Sequence, residues 1–135
     1  MKFSDLSVGL SVERSREMTE DLVNRYAVLT GDFSPVHVDE AAAKQTRFGT
    51  RIAHGMLSAG FLSAVIGMEL PGPGTIWVAQ AFKFKQPIKL GDTVTWRVTI
   101  AELFPEKKRA TVTTVARNQR DEVVIDGEGT ILLLD

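Results

Sequence analysis

The chain of 135 residues contains no cysteine. That excludes disulfides, thiolate nucleophiles and cysteine-ligated metals. Histidine is nearly as scarce: there are two, His37 and His54. Neither stands in an HExxH or His-x3-5-His spacing, so no metal site is expected. An excess of charge is also missing, since 16 basic and 17 acidic residues give a formal net charge of -1. The basic residues are scattered, without the positive stripe that nucleic acids require, and no nucleic-acid partner is expected. The N-terminal MKFSDLSVGL has no apolar run of signal-peptide length. The longest nearly uncharged run, Ile52–Met68, falls short of a membrane span. A soluble, cytoplasmic protein with no membrane partner is the expectation. Linkers, repeats and low-complexity segments are absent too, so residues 1–135 are read as one domain, long enough to bury a core.

What is present divides into a helical half and a strand half. A short strand is expected around Leu6–Val12. Thr19 is placed to cap a helix whose first turn carries Glu20 and Asp21, where the dipole favours anions. Leu22, Tyr26 and Leu29 fall at i, i+4 and i+7 and predict its apolar face. Gly31 ends it. Asp39 can cap a short helix over 40–45. The stretch His54–Leu70 is apolar nearly all round, which predicts a buried helix. It is rich in small residues, among them Gly60, Ser63, Ala64 and Gly67, which predicts close packing against a sheet. PGPG at 71–74 stops it.

The period then changes to two. Ile76, Val78, Phe82 and Phe84 alternate, as do Val94, Trp96, Val98 and Ile100. From Val123 the pattern runs through Ile125, Gly127, Gly129, Ile131 and Leu133, and residues 109–117 form a weaker strand. Short turns at Gly91-Asp92 and Glu106–Lys108 join them. The result is an antiparallel α+β domain with a long buried helix against a curved sheet. An open sheet edge favours pairing with a second copy, so a homodimer is expected.

Residues 31–37, GDFSPVH, place an acid and a base five positions apart with Pro35 between them. Taken alone, Asp32 is a turn or cap residue and His37 a structural histidine more often than a catalytic pair. Two further stretches accompany them, FGTRIAHGML at 48–57 and FKFKQPIKLGDTV at 82–94. Together, in this order, the three resemble the (R)-specific enoyl-CoA hydratases, the MaoC-like branch of the hot-dog fold. The resemblance covers nearly the whole chain. It implies an antiparallel β-sheet wrapped around a long central α-helix, with two copies joined edge to edge. It implies reversible addition of water to a trans-2-enoyl-CoA, giving an (R)-3-hydroxyacyl-CoA, with no cofactor apart from the coenzyme A of the acyl-CoA substrate. It places the catalytic pair on Asp32 and His37 and the oxyanion donor on the backbone N–H of Gly55.

The chain departs from the family pattern at two positions. Ser34 stands where the family usually has asparagine, and Gly60 where some members have a serine on the central helix. Hydration needs a water deprotonated as it attacks C3, a proton delivered to C2 and a stabilised thioester oxygen. Asp32 is expected to hold and activate the water, and His37 to bind the same water and shuttle the proton. Pro35 stiffens the loop between them and biases Ser34 towards an extended backbone. The first N–H groups of a helix lack internal partners, which suits Gly55 to the oxyanion.

Ser34, His54, Tyr26 and Gln80 are candidate substrate-binding residues. His54 is read mainly as a helix-start side chain that orients the loop, and Gln80 as a pocket residue or an edge residue. Tyr26, Leu62, Val65, Ile66 and Ile131 are expected to set pocket depth. Arg47, Arg51, Lys83 and Lys85 are read as solvated charges, with CoA phosphates as the alternative. Rival readings keep the same fold: a 3-hydroxyacyl-thioester dehydratase acting on CoA or acyl carrier protein, or a non-catalytic acyl-CoA-binding subunit. The second would be expected to lack Asp32 or His37. A thioesterase is disfavoured because no carboxylate occurs between His54 and Met68.

Overall fold

Residues 1–135 are described by a computed structural model. Strand β1 (Ser11–Glu17) is followed by helix α1 (Glu20–Thr30), two single-turn helices, α2 (Pro35–Val38) and α3 (Glu40–Ala43), and the long α4 (Gly55–Met68). Four strands complete the chain: β2 (Thr75–Phe84), β3 (Thr93–Phe104), β4 (Arg109–Arg117) and β5 (Val123–Leu133). They form one sheet in the order β1-β3-β4-β5-β2, and every neighbouring pair is antiparallel. No helix is long and apolar enough to cross a membrane.

The alternation in the sequence becomes the inner face of this sheet. Val94, Trp96, Val98 and Ile100 of β3 are all buried, as are Ala110, Val112 and Ala116 of β4 and Ile125, Ile131 and Leu133 of β5. Leu57, Leu62, Val65 and Ile66 of α4 pack into the same core. Burying an indole requires an acceptor for its N–H. Trp96 finds one on the helix itself, donating to Ser58 O at 2.8 Å, which pins α4 to the middle of the sheet.

Four expectations are corrected. The first strand begins at Ser11, not Leu6. Gly9 takes φ +91° in a turn closed by Leu10 N–H on Ser7 O, so the chain extends only beyond it. Its charged, exposed residues Glu13, Arg14, Arg16 and Glu17 suit an edge strand and hide the apolar alternation. Helix α1 fully buries Val23 and Ala27, and of its expected face leaves Leu22 and Tyr26 partly buried against the core and Leu29 exposed. The last three turn sideways into an open groove that they share with Leu57 and Phe61.

Helix α4 is not enclosed on all sides. Met56, Gly60, Ser63, Ala64 and Met68 form an open face, and a side chain added at Gly60 or Gly67 would meet nothing within 4 Å. Glycine there serves no packing within this chain. In β2, Ile76 and Val78 point outward. A bulge between Trp77 and Ala79 shifts the parity, so Trp77, Gln80 and Phe82 share the inner side with Ile131, Gly129 and Gly127 of β5.

Candidate active site

The segment that carries the acid and base is built by local rules. Thr19 Oγ1 accepts Leu22 N–H at 3.1 Å and starts α1. Gly31 ends it with φ +81°, in the left-handed region that glycine enters freely. Asp32 follows at once. One carboxylate oxygen, Oδ1, accepts Ser34 N–H at 3.1 Å, closing an Asx turn. Ser34 is extended (φ -53°, ψ 128°) ahead of Pro35, which occupies the first position of α2. The stretch expected as a loop is thus partly helical: His37 lies on a single helical turn. Its N–H donates to Ser34 O at 2.9 Å.

Two backbone carbonyls decide the histidine tautomers. His37 Nδ1 lies 2.8 Å from Ile52 O. A carbonyl only accepts, so Nδ1 carries the proton and Nε2 of the neutral ring keeps its lone pair. His54 Nε2 lies 3.0 Å from Asp32 O and by the same argument is the protonated nitrogen. The His54 ring packs with its centroid 4.0 Å from that of His37 and 4.7 Å from that of Tyr26, tilted by 31° and 58° respectively. Only 3% of His54 is exposed, and its Nδ1 is buried without a partner.

Burial pushes the His54 imidazole below its ordinary value of 6.5. The bond to Asp32 O opposes that shift, the His37 ring adds to it, and the Asp32 carboxylate, with Oδ2 3.9 Å away, also opposes it. Between the depressed value and 6.5 the unfolded chain binds a proton that the folded chain does not. Stability therefore rises with pH through that window and is lost on acidification. His54→Phe, which keeps a ring between Tyr26 and His37, should lack this part of the acid destabilisation. Denaturant midpoints between about pH 5 and 7.5 check this, and equal slopes for both proteins would refute it.

Gly55 opens α4 beside this cluster. Helix-start N–H groups have no acceptor within the helix and carry the positive end of its dipole. A Cβ on Gly55 would lie 2.5 Å from Cε1 of Phe84, so any side chain here would displace the half-exposed ring at the end of β2. His37, Gly55 and Phe84 line one cleft of about 290 Å³, together with Phe48, Arg47 and Lys85.

The predicted site residues separate into groups. Asp32, His37 and His54 come together, with ligand-type atoms within 4.8 Å of one another. This trio is poorly suited to a cation, because His54 Nε2 directs its proton at a carbonyl. What remains for a small guest is the Asp32 carboxylate and His37 Nε2, an acceptor pair that fits water. Tyr26 joins through the His54 stack. Ser34 contributes its main chain, and its hydroxyl makes no bond within the chain.

Gln80 lies elsewhere. It accepts from Trp77 Nε1 at 3.1 Å and donates to Ala81 O and Thr114 Oγ1, so its amide is committed within the sheet. Leu62, Ile66 and Ile131 are sealed in the core, and Val65 reaches only a shallow cleft between α4 and β1 that the candidate site does not share. Of the four cations, Arg47 and Lys85 line the cleft, and Lys83 lines a separate depression. Arg51 is not solvated: only 7% of it is exposed. Phe84 and Arg51 are the residues the sequence reading undervalued. Both belong to the quoted motifs, but burial and contact over distance leave no local mark.

The family profile described as MaoC like domain matches residues 6–124. The chain is 48% identical to an (R)-specific enoyl-CoA hydratase of Rhodospirillum rubrum, over 97% of this chain and 90% of that one. It is 44% identical to a 3-hydroxybutyryl-CoA dehydratase of Methylorubrum extorquens, over 96% and 82% respectively. Among solved structures, the unliganded R-hydratase PhaJ1 of Pseudomonas aeruginosa superposes with a TM-score of 0.94 at 40% identity, covering 99% of this chain and 86% of that one.

Proposed function

The chain belongs to the MaoC-like domain family, and from that premise we propose that it is an (R)-specific enoyl-CoA hydratase. It adds water reversibly to trans-2-enoyl-CoA to give (R)-3-hydroxyacyl-CoA. The observation that carries this reading is the pairing of a free Asp32 carboxylate oxygen with the unprotonated Nε2 of His37, beside the start of α4. The similarity to named hydratases and to a 3-hydroxybutyryl-CoA dehydratase supports it, since the two names describe one reaction in opposite directions.

Asp32 and His37 hold one water between them. As its oxygen bonds to C3, its proton passes to the pair, and a proton from the pair reaches C2. The thioester carbonyl, gaining enolate charge, accepts the Gly55 N–H. Such a donor is worth about 3 kcal/mol of barrier. The balance is one water added and protons moved. No electrons are transferred, so coenzyme A enters only as part of the substrate. His54 fixes the main chain of Asp32 and takes no proton, because burial keeps it neutral. Arg47 and Lys85 stand at the cleft where a phosphate-bearing carrier would approach. The groove of Leu22, Tyr26, Leu29, Leu57 and Phe61 meets the site through Tyr26, which packs on His54, and is the apolar surface proposed for the acyl chain.

A second copy completes the particle. Strand β2 is an unpaired edge carrying exposed Ile76 and Val78, and the open face of α4 adds Met56 and Met68. Long apolar edges of this kind are covered in stable proteins. Sedimentation should give twice the 14.8 kDa of one chain or a multiple of that, and a monomer at micromolar concentration would reject the pairing.

The test of function is loss of enoyl-thioester absorbance when the protein meets crotonyl-CoA, extended to longer enoyl-CoAs. Hydration that depends on Asp32 establishes the reaction. No turnover on any chain length would leave a carrier-protein-bound substrate or the non-catalytic acyl-CoA-binding reading.

A further inference from the structure

We infer that Arg51 is a positioning residue for the hydration site, holding His37 by its main chain; this rests on the hydratase reading and deepens it. The guanidinium is buried and donates from all three nitrogens. Nε bonds His37 O at 2.6 Å, one terminal nitrogen bonds Glu20 Oε1 at 2.7 Å, and the other bonds Asn24 Oδ1 at 2.8 Å. The Arg51 main-chain N–H reaches Glu40 Oε2 at 3.2 Å. One residue thereby joins α1, α2 and α3.

The next residues continue the grip. Ile52 O accepts the proton of His37 Nδ1, and Ile52 N–H donates to Val36 O at 3.1 Å. Ala53 N–H donates to Ile88 O at 2.7 Å, tying the segment to the loop before β3. His54 then holds Asp32 O. Residues 51–54 therefore restrain the ring and main chain of His37 and the main chain of Asp32, and lead directly into Gly55. Acid, base and oxyanion donor are referred to one short stretch of chain.

Helix α2 needs this outside support. It has four residues, and a single turn is unstable by itself. A small shift of His37 would spoil a proton transfer that depends on tenths of an ångström. Holding α2 against α1 would not by itself call for a cation, because an apolar side chain fills such a space at less desolvation cost. A charged, planar fork is suited to fixing a carbonyl and two side-chain oxygens in set directions. Arg51 does not line the cleft, although Ile52 and Ala53 do, so it acts through His37 and not on substrate.

The experiment compares the full-length wild type with R51M, R51K and the double variant E20Q/N24A. The double variant removes the Asn24 anchor and the charge of the Glu20 anchor, and leaves the Arg51–His37 bond. Steady-state hydration of crotonyl-CoA, thermal melting and NMR of the His37 Nδ1 proton are measured on each. R51M should lower kcat roughly tenfold to a hundredfold with KM within about threefold, and R51K should recover part of it. E20Q/N24A should melt earlier but keep kcat within about threefold of wild type.

Wild-type kcat in R51M overturns the inference, as does an equal kcat loss in E20Q/N24A. If R51M does not fold, wild-type kcat in R51K overturns it. The ring proton gives a readout independent of turnover: it should be protected in the wild type and exchange rapidly in R51M. Protection retained in R51M rejects the positioning role whatever the activity. An inactive wild type that still shows this difference rejects the hydratase reading and keeps the grip on His37.

Discussion

Asp32→Asn should reduce kcat for crotonyl-CoA hydration by about a thousandfold or more while leaving the melting temperature nearly unchanged. Both halves of that expectation come from the same contacts. The structural work of Asp32 is done by Oδ1, which accepts Ser34 N–H, and by its main-chain carbonyl, which accepts from His54. An asparagine oxygen can replace Oδ1 and the carbonyl is untouched. What is lost is the acceptor at Oδ2, which becomes an amide donor, and with it the negative charge proposed to activate the water.

General acid–base groups contribute roughly 10²–10⁴-fold each. His37→Ala should fall in the same range, with added loss of stability because Ile52 O loses its partner. On the proposal that the two side chains share one water, the double variant should be scarcely worse than either single one. Kinetics with circular dichroism on the three proteins check this. Additive losses would mean the pair does not act as a unit, and wild-type activity in either single variant would remove the site assignment.

The second large effect concerns one hydrogen atom. Gly55→Pro removes the N–H proposed to meet the thioester oxygen, and the position accepts proline on backbone grounds. Gly55 is the first residue of α4, where proline is favoured, and His54 before it has ψ 129°, the extended setting that proline requires of its predecessor. Any side chain at 55 also meets Phe84, so the comparison belongs in a Phe84→Ala background. There Gly55→Ala controls for added bulk and keeps the N–H. The proline variant should be a further 10²–10³-fold slower in kcat than the alanine variant. Equal rates in the two would place the oxyanion donor elsewhere.

Much of the fold could be read from the chain because its determinants are local. Thr19 and Gly31 bracket α1 through contacts within a few residues. The rows of β3, β4 and β5 declare themselves by period because one side of each is buried. Apart from the local turn at Gly9 that delays β1, the failures come from dependence on distant neighbours. Strand β1 is identified by its pairing with β3, not by its own charged side chains. The bulge in β2 reverses the parity of Ile76 and Val78 without any glycine or proline inside the strand.

The site shows the same division. Asp32, His37 and Gly55 stand in motifs whose spacing is visible. The sequence says nothing of the stacking of His54 between Tyr26 and His37, or of which ring nitrogen holds a proton. Arg51 and Arg47 are four residues apart and look alike in the sequence, yet one is enclosed by three helices and the other faces a cleft.

The strand order has a consequence for how the molecule comes into being on the ribosome. Strand β2 is the first of the four long strands to emerge, but its only partner within the sheet is β5, the last. β1 likewise waits for β3, more than seventy residues downstream. Neither edge can be stitched until later segments have been made, so contacts of high sequence separation dominate assembly. A nascent chain halted after β4 would display β2 with both sides bare, a state prone to association with its neighbours on the same messenger. The apolar strand that ends as an edge of the finished sheet is, for the length of one translation cycle, the part of the chain most in need of chaperone cover.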